Sequence, residues 1–198
     1  MEKNSLTPEE SFTIINKAIS NFKMNYKEKA KSFLLWGWIM SLASFSHFII
    51  IKILISKEAY ELMFSFSLGN WLVFVFIGFI IEYFSYRKNY KDIKVFSHLD
   101  KFIDILWKVT GLSIPIIVFL SIKLEISPPT FFLLVLGIAT TITGFLIKFK
   151  PIIFGGIAFF LFAIGSTFVQ EENILLISGA AIICCYLIPG YFLKSAKE

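Results

Sequence analysis

The sequence predicts an all-α, polytopic membrane protein in which six transmembrane helices follow a cytoplasmic amphipathic helix. Three observations lead to this fold class. The chain of 198 residues is 57% hydrophobic and 17% charged, whereas soluble domains are about 45–50% apolar and about 25% charged. The apolar residues form long continuous runs, and the lysines are distributed unevenly among the connections between these runs. Too few polar residues are present to cover the apolar surface of a soluble domain, so we expect lipid to cover it.

The first element is the predicted amphipathic helix within residues 1–31. Thr7-Pro8-Glu9-Glu10 fits a capping box, with Thr7 as the cap and Glu10 bonding back to it. Pro8 suits the first helical position, where its missing N–H costs nothing. Apolar residues then recur three or four positions apart, which places them on one face of a helix. We call these five residues the N-terminal stripe: Phe12, Ile15, Ile19, Phe22 and Tyr26.

The N-terminal stripe is expected to meet the inner leaflet of the membrane. Lys17, Lys23 and Lys27 lie on the other faces of the same helix, and lysines near a membrane favour anionic headgroups. The expected partners are therefore the lipid bilayer and its anionic headgroups. The alternative is a helix that docks on a protein partner or on a second copy in a homo-oligomer. Nothing in the sequence indicates binding to nucleic acid.

Six apolar segments follow, and each approaches the ~17–25 residues needed to cross the hydrocarbon. The third has the weakest signal, because Lys108 lies in its first turn and Pro115 near its middle. A spanning helix tolerates both, since neighbouring groups re-satisfy the freed carbonyl and a lysine stem reaches the headgroups. We expect no cleavable signal peptide, because the first run is too long for one. The predicted spanning domain is 32–195, with spans at 32–55, 71–86, 105–122, 130–147, 152–168 and 174–192.

The distribution of positive charge predicts the orientation. Of the 19 Lys and Arg residues, all but Lys52, Lys57 and Lys123 lie before span one, between spans two and three or in the first turn of span three, between spans four and five, or in the tail. Positive charge marks the cytoplasmic side of a membrane protein. The sequence therefore predicts both termini in the cytoplasm and a multi-pass protein of the inner membrane.

The turn "KFKP" between spans four and five is then cytoplasmic, with Lys148 and Lys150 at the headgroups and Pro151 opening the next helix. A phosphate site built from the two lysines and the Gly155–Gly156 pair is the alternative. The P-loop pattern GxxxxGK[ST] that would support such a site is absent from the sequence.

Two polar residues inside the spans are the candidate functional residues, because intramembrane ionisable groups mark pathways and relays. His47 lies about two-thirds of the way along span one, and Glu82 lies at the inner end of span two. His47 suits proton relay or ligand binding, and Glu82 suits a coupling-ion site. For His47 the structural alternatives are a hydrogen bond to a backbone carbonyl across a helix interface, or a place near the outer headgroups. For Glu82 they are a local pair with Arg87 or Lys88, or contact with the headgroups.

Small residues in spans four and six predict helix–helix packing seams, because they let backbones approach closely in lipid. We expect these positions to face other helices and not lipid: Gly137, Thr141, Gly144, Ala181 and Cys185.

The inventory of reactive residues predicts neither a metal site nor a cofactor. The two histidines do not occur in an HExxH pattern, and no GxSxG elbow is present. The alternative is an enzyme acting on lipid headgroups through His98, Asp100 and Asp104 beside the basic loop. The sequence favours a protein that is not an enzyme.

The stretch "ESFTIINKAISNFKMNYKEKAKSFLLWGW" resembles a family of small multi-span bacterial membrane proteins, in which ES-x-x-II-x-x-x-I precedes an LLWGW first span. The segments "KFKPIIFGG" and "YLIPGY" are similar to later parts of that family. The resemblance implies a bacterial inner-membrane protein. The family has no established activity, so the resemblance implies no catalytic residue and no ligand.

Taken together, these features predict an integral inner-membrane protein that acts as a non-enzymatic accessory or regulatory component through its basic cytoplasmic face. The alternative function is a small-solute or ion transporter or channel that uses His47 and Glu82.

Overall fold

The structure, a computed structural model, describes residues 8–89, 98–124 and 126–195, and it describes side chains from residue 30 onward within those ranges except at positions 86, 88 and 89. Seven α-helices occur in the described chain. They are α1 (Pro8–Ser56), α2 (Met63–Asn89), α3 (His98–Leu124), α4 (Pro128–Leu146), α5 (Lys150–Ser166), α6 (Glu171–Ile182) and α7 (Ile188–Ser195). A short 3-10 helix, Tyr60–Leu62, precedes α2, and a π-helical turn, Ile183–Leu187, joins α6 to α7. The predicted all-α class is confirmed.

Five helical segments of the described chain are long and apolar enough to cross a membrane, which is consistent with a multi-pass membrane protein. The third is among them, although its sequence signal is the weakest, and α3 is continuous with Pro115 inside it. Helix α5, with 17 residues, is apolar but shorter than each of these five segments. The five are Ala30–Ser56, Tyr60–Ser85, His98–Leu124, Pro128–Leu146 and Glu171–Ser195.

Helix α1 is a single 49-residue element, from Pro8 to Ser56. At 1.5 Å per residue it is about 74 Å long if straight, more than twice the thickness of the hydrocarbon. The predicted N-terminal helix and the first span therefore share one helix, without a break at residues 31–32. The side chains of the N-terminal stripe lie outside the described residues, so their placement at the membrane stays a prediction.

Neighbouring helices run antiparallel, so the bundle has two ends. Trp36 near the start of the first span bonds to Glu82 late in α2, and Trp107 early in α3 bonds to Thr143 late in α4. We call this end, which contains the turn between α4 and α5, the basic end. Lys52 late in α1 pairs with Glu172 at the start of α6, at the opposite end.

The core of the bundle lies among α1, α4, α5 and the α6–α7 segment, where glycines bring the backbones together. A Cβ on Gly144 would lie 2.6 Å from the backbone nitrogen of Ile153, and one on Gly156 would lie 2.5 Å from that of Thr141. Only a glycine fits at such distances. The predicted seams are confirmed at Gly137, Gly144, Ala181 and Cys185, all of which are buried. Thr141 is half-buried against Gly156.

The π-helical turn has a local cause in Pro189. A proline inside a helix has no N–H for the carbonyl four residues earlier, and its ring crowds that carbonyl. That carbonyl belongs to Cys185, and the helix widens so that the N–H of Ile188 bonds to Ile183 instead. The freed carbonyl meets Gly155 of α5, where a Cβ would lie 2.2 Å from the oxygen. The glycine therefore offers a Cα–H to a carbonyl that has lost its helical partner.

Candidate functional site

The candidate functional site is the interface between α1 and α2, where the structure collects the polar side chains of the first two spans. Helix α2 lies at the edge of the bundle, and in the described part of it Gly78 is the only buried residue. A Cβ on Gly78 would lie 3.0 Å from both Ile39 and the Trp36 ring. The glycine therefore lets α2 approach α1 closely enough for hydrogen bonds to form on either side of it.

His47 makes two hydrogen bonds to α2. The indole Nε1 of Trp71 lies 3.1 Å from His47 Nδ1, and the Ser67 hydroxyl lies 2.7 Å from His47 Nε2. An indole N–H can only donate, so Nδ1 must accept and the proton of the neutral ring is on Nε2. The His47 Nε2–H therefore donates to Ser67. His47 is therefore bonded to two side chains of the neighbouring helix and not to a backbone carbonyl.

Asn70, which precedes Trp71 in the chain, adds a second polar link between α2 and α1. Its side-chain amide donates to the backbone carbonyl of Ala43 over 3.0 Å, and its carbonyl oxygen accepts from the Ser46 hydroxyl over 2.7 Å. An Asn side chain in a span is costly unless both its donor and its acceptor are used. Here each makes a bond to α1.

Glu82 accepts a hydrogen bond from the indole of Trp36, with 3.0 Å between Nε1 and Oε2. The Trp36 ring also meets Phe79 edge to face, with the ring centroids 5.3 Å apart. Arg87, the expected local partner of Glu82, is exposed. The carboxylate is therefore bound across the helix interface by an indole.

The two indole bonds are reciprocal. At the basic end a Trp of α1 donates to a carboxylate of α2, and toward the opposite end a Trp of α2 donates to an imidazole of α1. Trp36 and His47 are eleven residues apart on α1, and Trp71 and Glu82 are eleven residues apart on α2. Eleven residues make three turns, so both bonds lie on one face, about 16 Å apart along the axis. We call these two bonds the indole rungs.

This arrangement disfavours nucleophilic chemistry at Ser67. A serine nucleophile must give its proton to the imidazole, and the other ring nitrogen must donate to an acceptor such as a carboxylate. In this protein Trp71 supplies a donor at that position, so the Nε2 that faces Ser67 already carries a proton. The pair is arranged for a structural hydrogen bond and not for catalysis.

The structure does not bring His47 and Glu82 together. They belong to different rungs, and the face between the rungs contains apolar residues such as Ile39 together with Gly78. Two shallow concavities, of about 390 and 410 Å³, lie along the outside of α2 and are lined mostly by apolar side chains. Neither of them has His47 or Glu82 among its lining residues.

The remaining sequence candidates are dispersed. His98 is exposed, and the Asp104 carboxylate pairs with Lys108 of the next turn at 2.7 Å. Gly155 and Gly156 pack against Cys185 and Thr141, which leaves no room for a phosphate beside them. In the part of the chain that the structure describes, no three His, Cys, Asp or Glu residues lie close enough together to hold a metal ion.

Other polar side chains of the spans are also used in packing. The Ser44 hydroxyl donates to the carbonyl of Leu175 on α6 over 2.9 Å, and the hydroxyls of Thr130 and Ser166 meet at 2.9 Å between α4 and α5. Two buried hydroxyl oxygens of the described chain, those of Thr140 and Thr141, have no hydrogen-bond partner.

Sequence reasoning missed the partners of the two candidates. Each of the four tryptophans donates its indole N–H to another helix, at Glu82, Tyr191, His47 and Thr143. The equal spacing of the Trp–His and Trp–Glu pairs was the available signal.

Comparison with protein-family models, curated proteins and solved structures gave no match to this chain.

Proposed function

We propose that this protein is a six-span bacterial inner-membrane protein with both termini in the cytoplasm, and that it acts as a non-enzymatic accessory or regulatory component through its basic end. The observation that carries the proposal is a difference between the polar side chains inside the spans and the charged side chains of the basic end. Both ionisable candidates and several other polar side chains inside the spans bond to neighbouring helices. The described lysines and arginine of the basic end are all exposed: Lys31, Arg87, Lys101, Lys108, Lys148, Lys150 and Lys194.

The sixth span is α5, and its pairing with α4 supports this count. Gly144 late in α4 packs on Ile152 and Ile153 at the start of α5, and Thr130 early in α4 bonds to Ser166 at the end of α5. The two helices therefore lie side by side over their whole lengths. If α4 crosses the bilayer, α5 crosses back, and its 17 residues meet the lower limit of about 17 for a span.

The charges at the two ends support the orientation. The opposite end carries Lys52, Lys57 and Lys123 together with four described acidic residues, Glu58, Glu61, Glu171 and Glu172. The basic end carries the larger set of cations, and the positive-inside rule assigns that end to the cytoplasm. The N-terminal stripe then lies on the cytoplasmic side, where anionic lipid is worth about 1 kcal/mol per nearby lysine.

Topology is tested with reporter fusions. One reporter follows Glu198, and the other is inserted between Glu171 and Glu172 in the first turn of α6. We expect the first to report the cytoplasm and the second to report the outer side. Both reporters on one side would overturn the six-span count.

The accessory function is tested with the full chain in lipid nanodiscs, one set containing anionic lipid and the other only neutral lipid. We expect residues 8–29 to exchange their amide hydrogens more slowly in the anionic set. Replacing Phe12 and Ile19 by Ser should abolish this difference, whereas the control Asn16→Ser, off the stripe, should keep it. Equal exchange in both lipids would contradict action at the inner leaflet.

The transporter alternative is tested with the same protein in sealed vesicles containing a pH-sensitive dye. We expect proton and potassium leakage at the level of protein-free vesicles. Leakage that is abolished by His47→Ala would instead favour transport through the first two spans.

A further inference from the structure

We propose that His47, Ser67 and Trp71 form a pH-sensitive latch, which holds the outer half of α2 against α1 while the imidazole is neutral and releases it when the imidazole is protonated. The outer half of α2 is the part between the 3-10 helix and Gly78. The proposal rests on the geometry of these three side chains and does not depend on the proposed function.

The latch follows from the donors and acceptors of the imidazole. In the closed arrangement Nδ1 accepts from the Trp71 indole, and Nε2 donates to the Ser67 hydroxyl. Protonation of the ring places a hydrogen on Nδ1, which then faces the hydrogen of the indole. Neither group can accept, so one hydrogen bond is replaced by a contact between two donors. The closed state therefore binds a proton at His47 less well than a state in which Trp71 has moved away.

The helix that would move is weakly attached. Besides the 3-10 helix that precedes it, α2 packs mainly on α1, and Gly78 is the one buried residue among the described side chains of α2. In its outer half, α2 is hydrogen-bonded to α1 through Ser67, Asn70 and Trp71. Its inner half is held separately, by the close approach at Gly78 and by Trp36 bonded to Glu82. The outer half can thus leave α1 while the inner half stays bound.

Among the described residues, no carboxylate is bonded to His47, whose ring bonds to Ser67 and Trp71. Along the described part of α2, no Asp or Glu occurs between Glu61 and Glu82. From α6, Glu172 faces this end of the bundle, but it pairs with Lys52 of α1. The other described titratable groups of this end are exposed and lie in or beside the connections: Lys57, Glu58, Tyr60, Glu61, Lys123 and Glu171. Acidification therefore favours the released state.

The position of His47 along α1 decides which compartment the latch would sense. His47 is half-buried and lies nine residues before the end of α1 at Ser56, which is about 14 Å along the helix axis. Ser67 and Trp71 are at a similar depth, within the first nine residues of α2. The latch is thus on the outer side in the proposed topology, and it would respond to the pH of that compartment.

The latch is tested by measuring the distance between spin labels on α1 and α2 in the full chain, in nanodiscs at pH 7.5 and pH 5. Ile49→Cys and Phe66→Cys provide the labelling sites, since the two side chains are 56% and 50% exposed. Cys184 is exposed and is replaced by Ala, whereas Cys185 is buried. We expect the distances to lengthen and broaden at pH 5. A distribution that does not change between the two pH values would overturn the proposal.

Substitutions assign the response to one group. His47→Gln cannot take up a proton in this range, and we expect its distances to be the same at both pH values. His98→Gln is the matched control, because it removes the only other histidine, which is exposed at the basic end; it should keep the full response. A response that survives in His47→Gln, or that disappears in His98→Gln, would overturn the assignment. Trp71→Phe removes the indole donor and should show the lengthened distances already at pH 7.5.

A second measurement does not require a change at His47. In the His98→Gln protein, His47 is the single imidazole, so its two nitrogens can be observed by 15N NMR. At pH 7.5 we expect the proton on Nε2 and an unprotonated Nδ1. A proton on Nδ1 at this pH would contradict the closed arrangement, and with it the latch.

Discussion

Two interfaces of this bundle are built in opposite ways. Between α4 and α5, glycines remove the side chains that would separate the backbones, and at Gly156 a Cβ would lie 2.7 Å from the Cα of Thr141. Between α1 and α2, a single buried glycine, Gly78, is flanked by the two indole rungs. The first interface is specified by shape and the second by hydrogen bonding. The difference implies that the α4–α5 interface is destabilised when a side chain is enlarged. The α1–α2 interface is destabilised when a hydrogen-bonding group is removed.

The largest effect is expected at the α4–α5 interface. Gly156→Leu and Gly144→Leu place side chains where backbone atoms already lie, so each should lower the stability by about 3 kcal/mol or more, at the upper end of overpacking. The measurement is unfolding in detergent. Gly111→Leu in α3 is the control, because nothing lies within 4 Å of its Cβ position. Equal melting of all three variants would show that the α4–α5 interface is looser than described.

The next effect is expected at the indole rung nearer the basic end, where Trp36 bonds to Glu82. Glu82→Ala leaves the Trp36 indole N–H without its acceptor, which should cost about 1–2 kcal/mol. Glu82→Gln keeps an oxygen at the same position and should restore most of the loss. The measurement is again unfolding in detergent. If Gln behaves like Ala, the rung depends on charge and not on hydrogen bonding.

A smaller effect is expected from Asn70→Ala, which removes the bonds to Ala43 and Ser46. Interhelical hydrogen bonds in membranes average about 0.6 kcal/mol, so the loss should be about 1 kcal/mol. It should appear first as faster amide exchange in the outer half of α2, with α4 and α5 unchanged. Uniformly faster exchange across the bundle would mean that the two interfaces are not independent.

The smallest effect is expected at the ion pair between Lys52 and Glu172, whose side chains are 47% and 36% exposed. Exposed pairs contribute about 0–1 kcal/mol and are screened by salt. Lys52→Gln should therefore change the melting temperature less than Asn70→Ala does. A larger change, lost at high salt, would indicate that this pair helps to hold α1 on α6.

The sequence predicted the helical class and the small-residue seams, because long apolar runs and closely spaced Gly, Ala and Thr have few other uses in a membrane. It placed the start of span two at Trp71, eight residues after α2 begins at Met63. The reason is physical. Ser65, Ser67 and Asn70 interrupt the apolar run, but Ser67 and Asn70 are satisfied by α1. A hydropathy pattern records the polarity of a side chain and not its partner on another helix.

The candidate residues show the same limit. His47 and Glu82 were identified as polar residues in spans, and their types alone suggested relay or ion coupling. Their partners, Trp71 and Trp36, lie 24 and 46 residues away in the chain, so only the antiparallel register of α1 and α2 pairs them. The π-helical turn also could not be anticipated, because it depends on the widened helix at Pro189 meeting a glycine of α5.

The equal spacing of the two indole rungs also restricts how α2 can move. Sliding α2 along α1 by one turn, about 5.4 Å, would pull both indoles away from their acceptors at once. Swinging one end outward breaks a single rung and leaves the other as a pivot. The pair of helices therefore resists sliding along the helix axis and allows α2 to tilt about either rung. A displacement of either end of α2 would therefore reach the other end as a tilt of the whole helix.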